Sequence, residues 1–355
     1  MTDVHVPVAA LRSFVDRCGA RAGVPPEHLP LFVDSFVEAD LRGVGTHGVA
    51  RIPAYVRAFL AGIVNPSPVL RIVRETPATM LIDADNGLGM VTGQLATDFA
   101  IRLATSVGVG VVSVRNSNHS GMLAVHVLRA ADAGMVGYFT SNGAAIMAPW
   151  GGAEPRLSNG PFAWALPRGD GRRPIVVDMA ASAAARGKIR QIAREGGSIP
   201  AGWALDAEGL PTTDSKAAMK GVVLPMAAHK GYGIGLVNEA MSAVLSGAAL
   251  ATETPRGFLE DGSTVLDSWK IGHLAIAFDP NAFAGPKEFE AGIERLVDSV
   301  RSARLAAGAT EILLPGEPEW RRRDESLRDG IRLPKATIAS LDAFAVEIGI
   351  AALDR

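Results

Sequence analysis

Apolar positions recur at helical spacing over residues 8–17 and again over 31–41, with a proline-rich turn at Pro25-Pro26 and Leu29-Pro30 between them. Residues 46–60 read as mixed loop and helix, and the run Asn65 to Pro68 breaks the pattern at a candidate domain boundary. From about residue 70 the period changes. Residues 79–83 read as a strand, 86–89 as a turn and 93–106 as a helix. The stretch 108–114 is short and β-branched, as in a buried strand. A helix over 122–133 closes at Gly134, and 135–140 returns to strand. Further strands are predicted over 162–166, 175–179 and 273–278, and later helices over 289–306 and 336–349. The last helix is amphipathic and suits packing on the N-terminal helices. His229 opens a long apolar helix to Ala249. Its richest part, 234–250, is interrupted by Asn238-Glu239 and Ser246-Gly247 and reads as a buried helix, not a membrane span. Strands separated by helices predict an α/β sheet domain with some parallel pairing.

The chain of 355 residues has room for two or three domains or one large one. With 48% apolar and 20% charged residues it can bury a core, which excludes intrinsic disorder. A net charge of −2 gives no electrostatic reason to expect nucleic acid as partner. The single cysteine, Cys18, excludes an internal disulfide framework. No basic segment leads into a long apolar stretch at the N-terminus, so no targeting or membrane segment is expected, and the cytoplasm is the expected compartment. No internal repeat is visible.

Gly43-Val44-Gly45-Thr46-His47-Gly48 matches G-x-G-x-x-G literally. A Rossmann fingerprint must follow a strand and open a helix. Here the string follows the helical segment 36–41, so its glycines are read as a tight turn presenting Thr46 and His47. Arg51 follows His47 by four residues, the spacing of one helix face. Arginine grips a carboxylate in bidentate fashion and a neutral histidine exchanges a proton with the adjacent oxygen. The alternative is a capping turn in which Thr46 satisfies backbone N–H groups and His47 is incidental. His119, in Asn116-Ser117-Asn118-His119-Ser120-Gly121, follows a strand, where open α/β sheets place ligands, although Asn and Ser also cap helices. His229-Lys230 opens a helix and is either an anion site or a solvated terminus. His5 and His28 read as surface residues, His126 as a satisfied histidine and His273 as structural. No H-x-x-x-H or H-E-x-x-H occurs, so no metal is expected, and no G-x-S-x-G supports a serine hydrolase.

Nine segments in order carry a family resemblance: RGVGTHGVARIPAY (42–55), DADNGLGMVTG (83–93), VRNSNHSG (114–121), APWGG (148–152), VVDMAASAAARGKI (176–189), IPAGWALDAEGLPTTD (199–214), LPMAAHKGYGIGL (224–236), GHLAIAFDP (272–280) and LLPGEPEW (313–320). Over nearly the whole chain, roughly residues 8 to 350, the sequence resembles the malate/L-lactate dehydrogenase type 2 family, which also holds sulfolactate and ureidoglycolate dehydrogenases, diketogulonate reductases and cyclic imino acid reductases. The resemblance implies hydride transfer between NAD or NADP and a small 2-hydroxy or 2-oxo acid. It implies a distinctive non-Rossmann dinucleotide-binding α/β fold. With the helical pattern at both ends, the expected division is a helical domain of residues 1–75 plus about 321–355 and an α/β cofactor- and substrate-binding region of about 76–320. It also implies a homodimer. His47 matches the proton donor and acceptor, His119 a second active-site histidine, and Arg51 the carboxylate clamp, with Thr46 orienting the substrate. Asp178-Met179-Ala180, His229-Lys230 and Gly316-Glu317 match cofactor-contacting segments. Asn159 and Ser120 are expected to line the substrate.

Three departures bear on specificity. Thr46 stands where many relatives have serine, Asn159-Gly160-Pro161 where many have Thr-Asn-Pro, and Ala227-Ala228 where glycines are common. Asp178 suits a ribose hydroxyl and hence NAD, while Arg186 and Lys188 suit a 2′-phosphate and hence NADP. The same fold reducing a cyclic C=N bond, and a non-catalytic nucleotide or organic-acid sensor, are the alternatives.

Overall fold

The computed structural model describes residues 3–169, 171–255 and 267–354. The chain runs β1 (Val4–Val6), α1 (Val8–Arg21), α2 (Leu29–Leu41), two 3-10 turns over Gly45–His47 and Val49–Arg51, α3 (Ile52–Leu60), β2 (Arg71–Glu75), β3 (Thr79–Asp83), α4 (Gly89–Val107), β4 (Val109–Ser117), α5 (Ala124–Asp132) and β5 (Val136–Ser141). It continues through β6 (Phe162–Leu166), β7 (Ile175–Met179), α6 (Arg186–Arg194), β8 (Ala204–Leu205), β9 (Pro211–Thr212), α7 (Ser215–Lys220), β10 (Val222–Val223) and α8 (His229–Glu239), which passes into a π turn at Ala240–Val244. β11 (Ile271–Phe278), α9 (Pro286–Arg301), α10 (Glu317–Asp329), β12 (Ile331–Leu333) and α11 (Lys335–Ile348) complete it.

The main sheet has the order β2-β3-β4-β11-β5-β6-β7. Among the described residues β3 and β4 pair parallel, joined by α4 as a βαβ crossover, and the other neighbours pair antiparallel. β4 and β5, joined by α5, do run in one direction, as their spacing implies. However, β11 arrives from far later in the chain and inserts between them, antiparallel to both. The expected parallel pairing is therefore met by one pair, β3 with β4. Gly43–Gly48 follows α2 and leads into 3-10 turns, with no strand before it.

Two large cores flank the site. One joins Phe14, Phe32, Phe36 and Tyr55 near the N-terminus to Ile331, Leu341 and Phe344 near the C-terminus, while β1 pairs with β12. The other packs α4 and α5, through Ala96, Ala100, Leu103, Val127 and Leu128, on Val112, Phe139 and Ala275 of the sheet. Helix α10 and the small strands carry too little apolar periodicity to be legible in the sequence.

The expectation of a buried helix over 234–250 is overturned. Ile234, Leu236, Val237, Val244, Leu245 and Leu250 are all exposed, with Val237 at 58% and Val244 at 64%. The α-helical hydrogen bonding stops at Glu239. Asn238 and Glu239 are instead the buried positions. Asn238 donates to Gly160 O at 2.9 Å, and Glu239 accepts from Ser158 Oγ at 2.9 Å and from the Ala251 N–H at 2.7 Å. The polar residues that seemed to interrupt the apolar run are the ones that dock it, which leaves its apolar face outward.

His273 ties the sheet together. It is fully buried in β11, and its ring nitrogens meet Ser141 Oγ of β5 at 2.9 Å and Ser117 Oγ of β4 at 2.8 Å. Burial, assisted by His126 nearby, lowers its pKa to about 3. Such a histidine is neutral when folded and protonates more readily when unfolded. Its contribution to stability is therefore lost as pH falls from about 6.5 towards 3. Replacing His273 with glutamine should flatten this part of the dependence of Tm on pH. Parallel Tm profiles for wild type and His273→Gln over that window would show that the group does not titrate as its burial dictates.

Candidate active site

The first component is the loop between α2 and α3. Leucine, phenylalanine and valine hold α2 in the core up to Leu41, and the chain then turns at Gly43, whose φ is 77°. Two 3-10 turns follow, separated by Gly48. Val49 anchors the second turn, fully buried, while Thr46 is exposed and His47 half-buried. Thr46 Oγ1 lies 3.0 Å from His47 Nδ1, so its hydroxyl serves the imidazole and does not cap the backbone. Arg51 Nε donates to Thr46 O at 3.0 Å, which folds the guanidinium back over the loop.

The second component is the segment after β4. Asn118 is buried and donates to Asn86 O at 2.9 Å and Gly87 O at 3.1 Å, while its Oδ1 accepts the Trp269 N–H at 2.9 Å. This staples the segment to the turn before α4. His119 then lies against His47, with ring centroids 5.6 Å apart and planes 8° from parallel. Tyr55 Oη is 2.7 Å from His119 Nδ1, and the Trp269 ring meets His119 edge-on at 5.1 Å. Neither Tyr55 nor Trp269 was singled out in the sequence. Tyr55 follows Arg51 by four residues, the one local signal available, whereas Trp269 has none.

A backbone N–H can only donate, and that of Gly121 points to His119 Nδ1 at 3.3 Å. Nδ1 is therefore an acceptor, Tyr55 O–H donates to it, and a neutral His119 carries its proton on Nε2. Burial raises the Tyr55 pKa, which keeps that hydroxyl protonated. His47 is lowered to about 4, first by burial and then by Arg51. His119 is lowered well below the usual imidazole value by burial, then by His47, Arg51 and His273. The result is two neutral imidazoles beside a guanidinium. Such a set can receive an anion on the cation and exchange a proton with a neighbouring oxygen.

The other candidates gather around β7 and α8. Asp178 Oδ2 accepts the Ala124 N–H at 2.8 Å, so Asp178, and not the Asn and Ser residues before the helix, caps α5. The surrounding protein raises the Asp178 pKa against the pull of the Ala124 and Leu123 N–H groups. Met179 is exposed and Ala180 half-buried. Asn159 O accepts the Ala181 N–H at 2.8 Å, which sets the 159–161 loop beside β7. Ser120 is buried, and its carbonyl meets His126 Nε2 at 2.9 Å. His229 and Lys230 are exposed at the start of α8, where no side chain caps the helix. The Lys230 and Gly231 N–H groups already meet Ala227 O and Met226 O, so an anion there would be met by the two side chains and the positive helix end. Gly316 begins α10 against Val176. Glu317 accepts the Leu314 N–H at 2.7 Å, pairs with Arg301 and lines a recess of about 360 Å³ with Arg168, Arg173, Trp320 and Arg321. Among the described residues no three His, Cys, Asp or Glu side chains gather as a metal site, and no helix is long and apolar enough to cross a membrane.

Comparison with known proteins bears on the chemistry. Residues 6–342 match the family described as malate/L-lactate dehydrogenase. The chain is 38% identical to the L-sulfolactate dehydrogenase of Methanocaldococcus jannaschii over 92% of each chain. It is 35% identical to the malate dehydrogenase of Pyrococcus horikoshii over 99% of this chain and 97% of that one. It is 31% identical to a Delta(1)-pyrroline-2-carboxylate reductase of Ancylobacter novellus over 91% and 92%. The solved Methanocaldococcus sulfolactate dehydrogenase superposes with a TM-score of 0.90 at 36% identity, covering 98% of both chains.

The approach to α8 stores strain. Ala227 and Ala228 both have positive φ, 46° and 60°, and Ala228 pairs it with ψ −125°, a region that a Cβ disfavours. Ala228→Gly should stabilise the protein by about 1 kcal/mol, the relieved strain exceeding the added chain entropy of glycine. A denaturation midpoint that stays put or falls would contradict this.

Proposed function

The chain belongs to the malate/L-lactate dehydrogenase family and is an oxidoreductase of that kind, and we propose that it transfers a hydride between NAD or NADP and a small 2-hydroxy acid or its 2-oxo partner. The observation that carries this reading is the parallel His47–His119 pair under the field of Arg51. Arg51 holds the substrate carboxylate with its planar fork. His47, neutral and ready to accept, takes the hydroxyl proton in oxidation and returns it in reduction. His119 keeps Nδ1 engaged with Tyr55 and Gly121 and offers its Nε2–H to the substrate oxygen, which makes it a donor and leaves the proton transfer to His47. Thr46 orients the His47 ring through Nδ1. The bound nicotinamide supplies the hydride acceptor or donor. The exposed Lys230 and His229 at the positive end of α8 fit the phosphates of a dinucleotide, and Asp178, Met179, Ala180, Gly316 and Glu317 are the other residues assigned to hold it. The N- and C-terminal helices, sharing one core, form the helical unit that carries His47 and Arg51.

Pairing NADH and NADPH with oxaloacetate, pyruvate, sulfopyruvate, 2,3-diketogulonate and a cyclic imino acid tests the reading, with the hydroxy acids run in reverse. Turnover of an oxo acid is expected. His47→Ala should lower kcat by at least about 10²-fold, more than His119→Ala does. With the His47 pKa at about 4, kcat/KM for oxidation should be level between about pH 5.5 and 8. An inflection near pH 6.5 would show that the base titrates as an ordinary imidazole and that the His47 ring is not held in its low-pKa setting. Turnover of the imine alone would move the protein to the C=N branch of the family.

We also propose a homodimer closed by the outward apolar face of α8 and the π turn, since a contiguous exposed apolar face marks an association surface. Light scattering should give twice the mass of 37.0 kDa. Val237→Asp with Leu245→Asp should yield a monomer, and a dimer that survives both charges would place the interface elsewhere.

A further inference from the structure

The loop bearing Thr46, His47 and Arg51 is held from beneath by Asp40, a side chain to which the mechanism assigns no step. Asp40 lies one residue before the end of α2 and is 9% exposed. Its Oδ2 accepts the Val49 N–H at 2.7 Å. Its carboxylate also fills the space beside Gly48. A Cβ built on Gly48 would lie 2.0 Å from Oδ1 and 2.2 Å from Cγ, and one on Gly45 would lie 3.5 Å from Oδ1. Gly48 has φ −84° and ψ −161°, ordinary values for any residue. The carboxylate therefore demands glycine there, and the backbone angles do not. Among the described residues no cation pairs with Asp40. Burial pushes its pKa up to about 7, and the Val49 N–H alone opposes this. A buried carboxyl without a partner charge is a costly way to stabilise a fold. What it contributes is direction: one oxygen fixes the start of the second 3-10 turn, and the rest of the group fixes the glycine that joins the two turns.

We propose that Asp40 is a positioning residue for the reaction, holding the Gly48–Val49 junction so that His47 lies parallel to His119 and Arg51 closes over Thr46. The role requires a hydrogen-bond acceptor of this size and not a charge. It rests on His47 being the acid/base of the proposed function, and its test therefore includes a reading that needs no turnover.

The variants are Asp40→Ala, which removes the acceptor, Asp40→Asn, which keeps one, and Gly48→Ala, whose methyl displaces the carboxyl. The readouts are steady-state kinetics on the acid turned over, NADH and NADPH dissociation constants from cofactor fluorescence, and the NMR titration of the His47 ring, assigned with His47→Gln. Displacing a reacting group by about 1 Å can cost about 10²-fold in rate. Asp40→Ala and Gly48→Ala should each lower kcat by at least about tenfold, leave the cofactor dissociation constant within about twofold, and move the His47 midpoint up towards about 6.5 as the ring leaves its enclosure. Asp40→Asn should recover kcat to within about threefold of wild type and restore the low midpoint. If Asp40→Asn is as impaired as Asp40→Ala, the charge matters and the proposal fails. It also fails if Gly48→Ala and Asp40→Ala leave the His47 titration unchanged. Should the wild type turn over no acid, the proposed function fails and the titrations alone decide the role of Asp40. Should Asp40→Ala not fold, Gly48→Ala set against Asp40→Asn decides it in the same way.

Discussion

The close approach of α4 to the end of β4 at Gly89 is the constraint on which the site depends. A Cβ on Gly89 would lie 2.1 Å from Asn118 O, 2.8 Å from His273 Nε2 and 2.9 Å from the carbonyl carbon of His119. No other residue lets the helix lie there. The contact sets Thr92 Oγ1 2.9 Å from Ser117 Oγ, and Ser117 in turn meets His273, which reaches Ser141 across β11. A line of short hydrogen bonds thus runs under the His119 segment and fixes it to three strands. Rigid secondary structure beneath and a short loop above is the arrangement that lets a side chain hold a catalytic angle.

The electrostatics follow from that rigidity. Arg51 is the cation whose field reaches His47, Tyr55 and His119, and the protein packed around the rings adds desolvation. Both effects favour neutral imidazoles. An anion placed on Arg51 would cancel part of that field and raise the proton affinity of His47. In the proposed reaction the side chain that holds the carboxylate therefore also adjusts the base.

Much of this was legible in the sequence because it is local. The alternation of β3 to β7 and the periodicity of α1, α2, α4, α5, α9 and α11 read correctly to within a few residues, since each element buries one face. Thr46, His47 and Arg51 were readable because a glycine-bracketed turn presents them within six residues. Tyr55, Trp269 and Asp40 were not. Tyr55 looks like one more core aromatic, Trp269 comes from a distant segment, and Asp40 looks like a solvated helix end.

The chain by itself determined the helices α1, α2, α4, α5, α9 and α11 and the strands β3 to β7 and β11, that Gly43–Gly48 could not be a strand-to-helix phosphate turn, and which residues carry the family's motifs. All of these follow from periods of two and 3.6 residues and from short strings of side chains. Tertiary structure alone decided that β11 would split β4 from β5 and that Asn238 and Glu239, not the apolar residues around them, would dock α8. It also decided that Asp178 would cap α5 and that His47 and His119, 72 residues apart in number, would stack as parallel neutral rings. Strand order and ring stacking are set by burial and hydrogen bonding between segments far apart in the chain, and no local pattern encodes which distant partner will satisfy a given polar group.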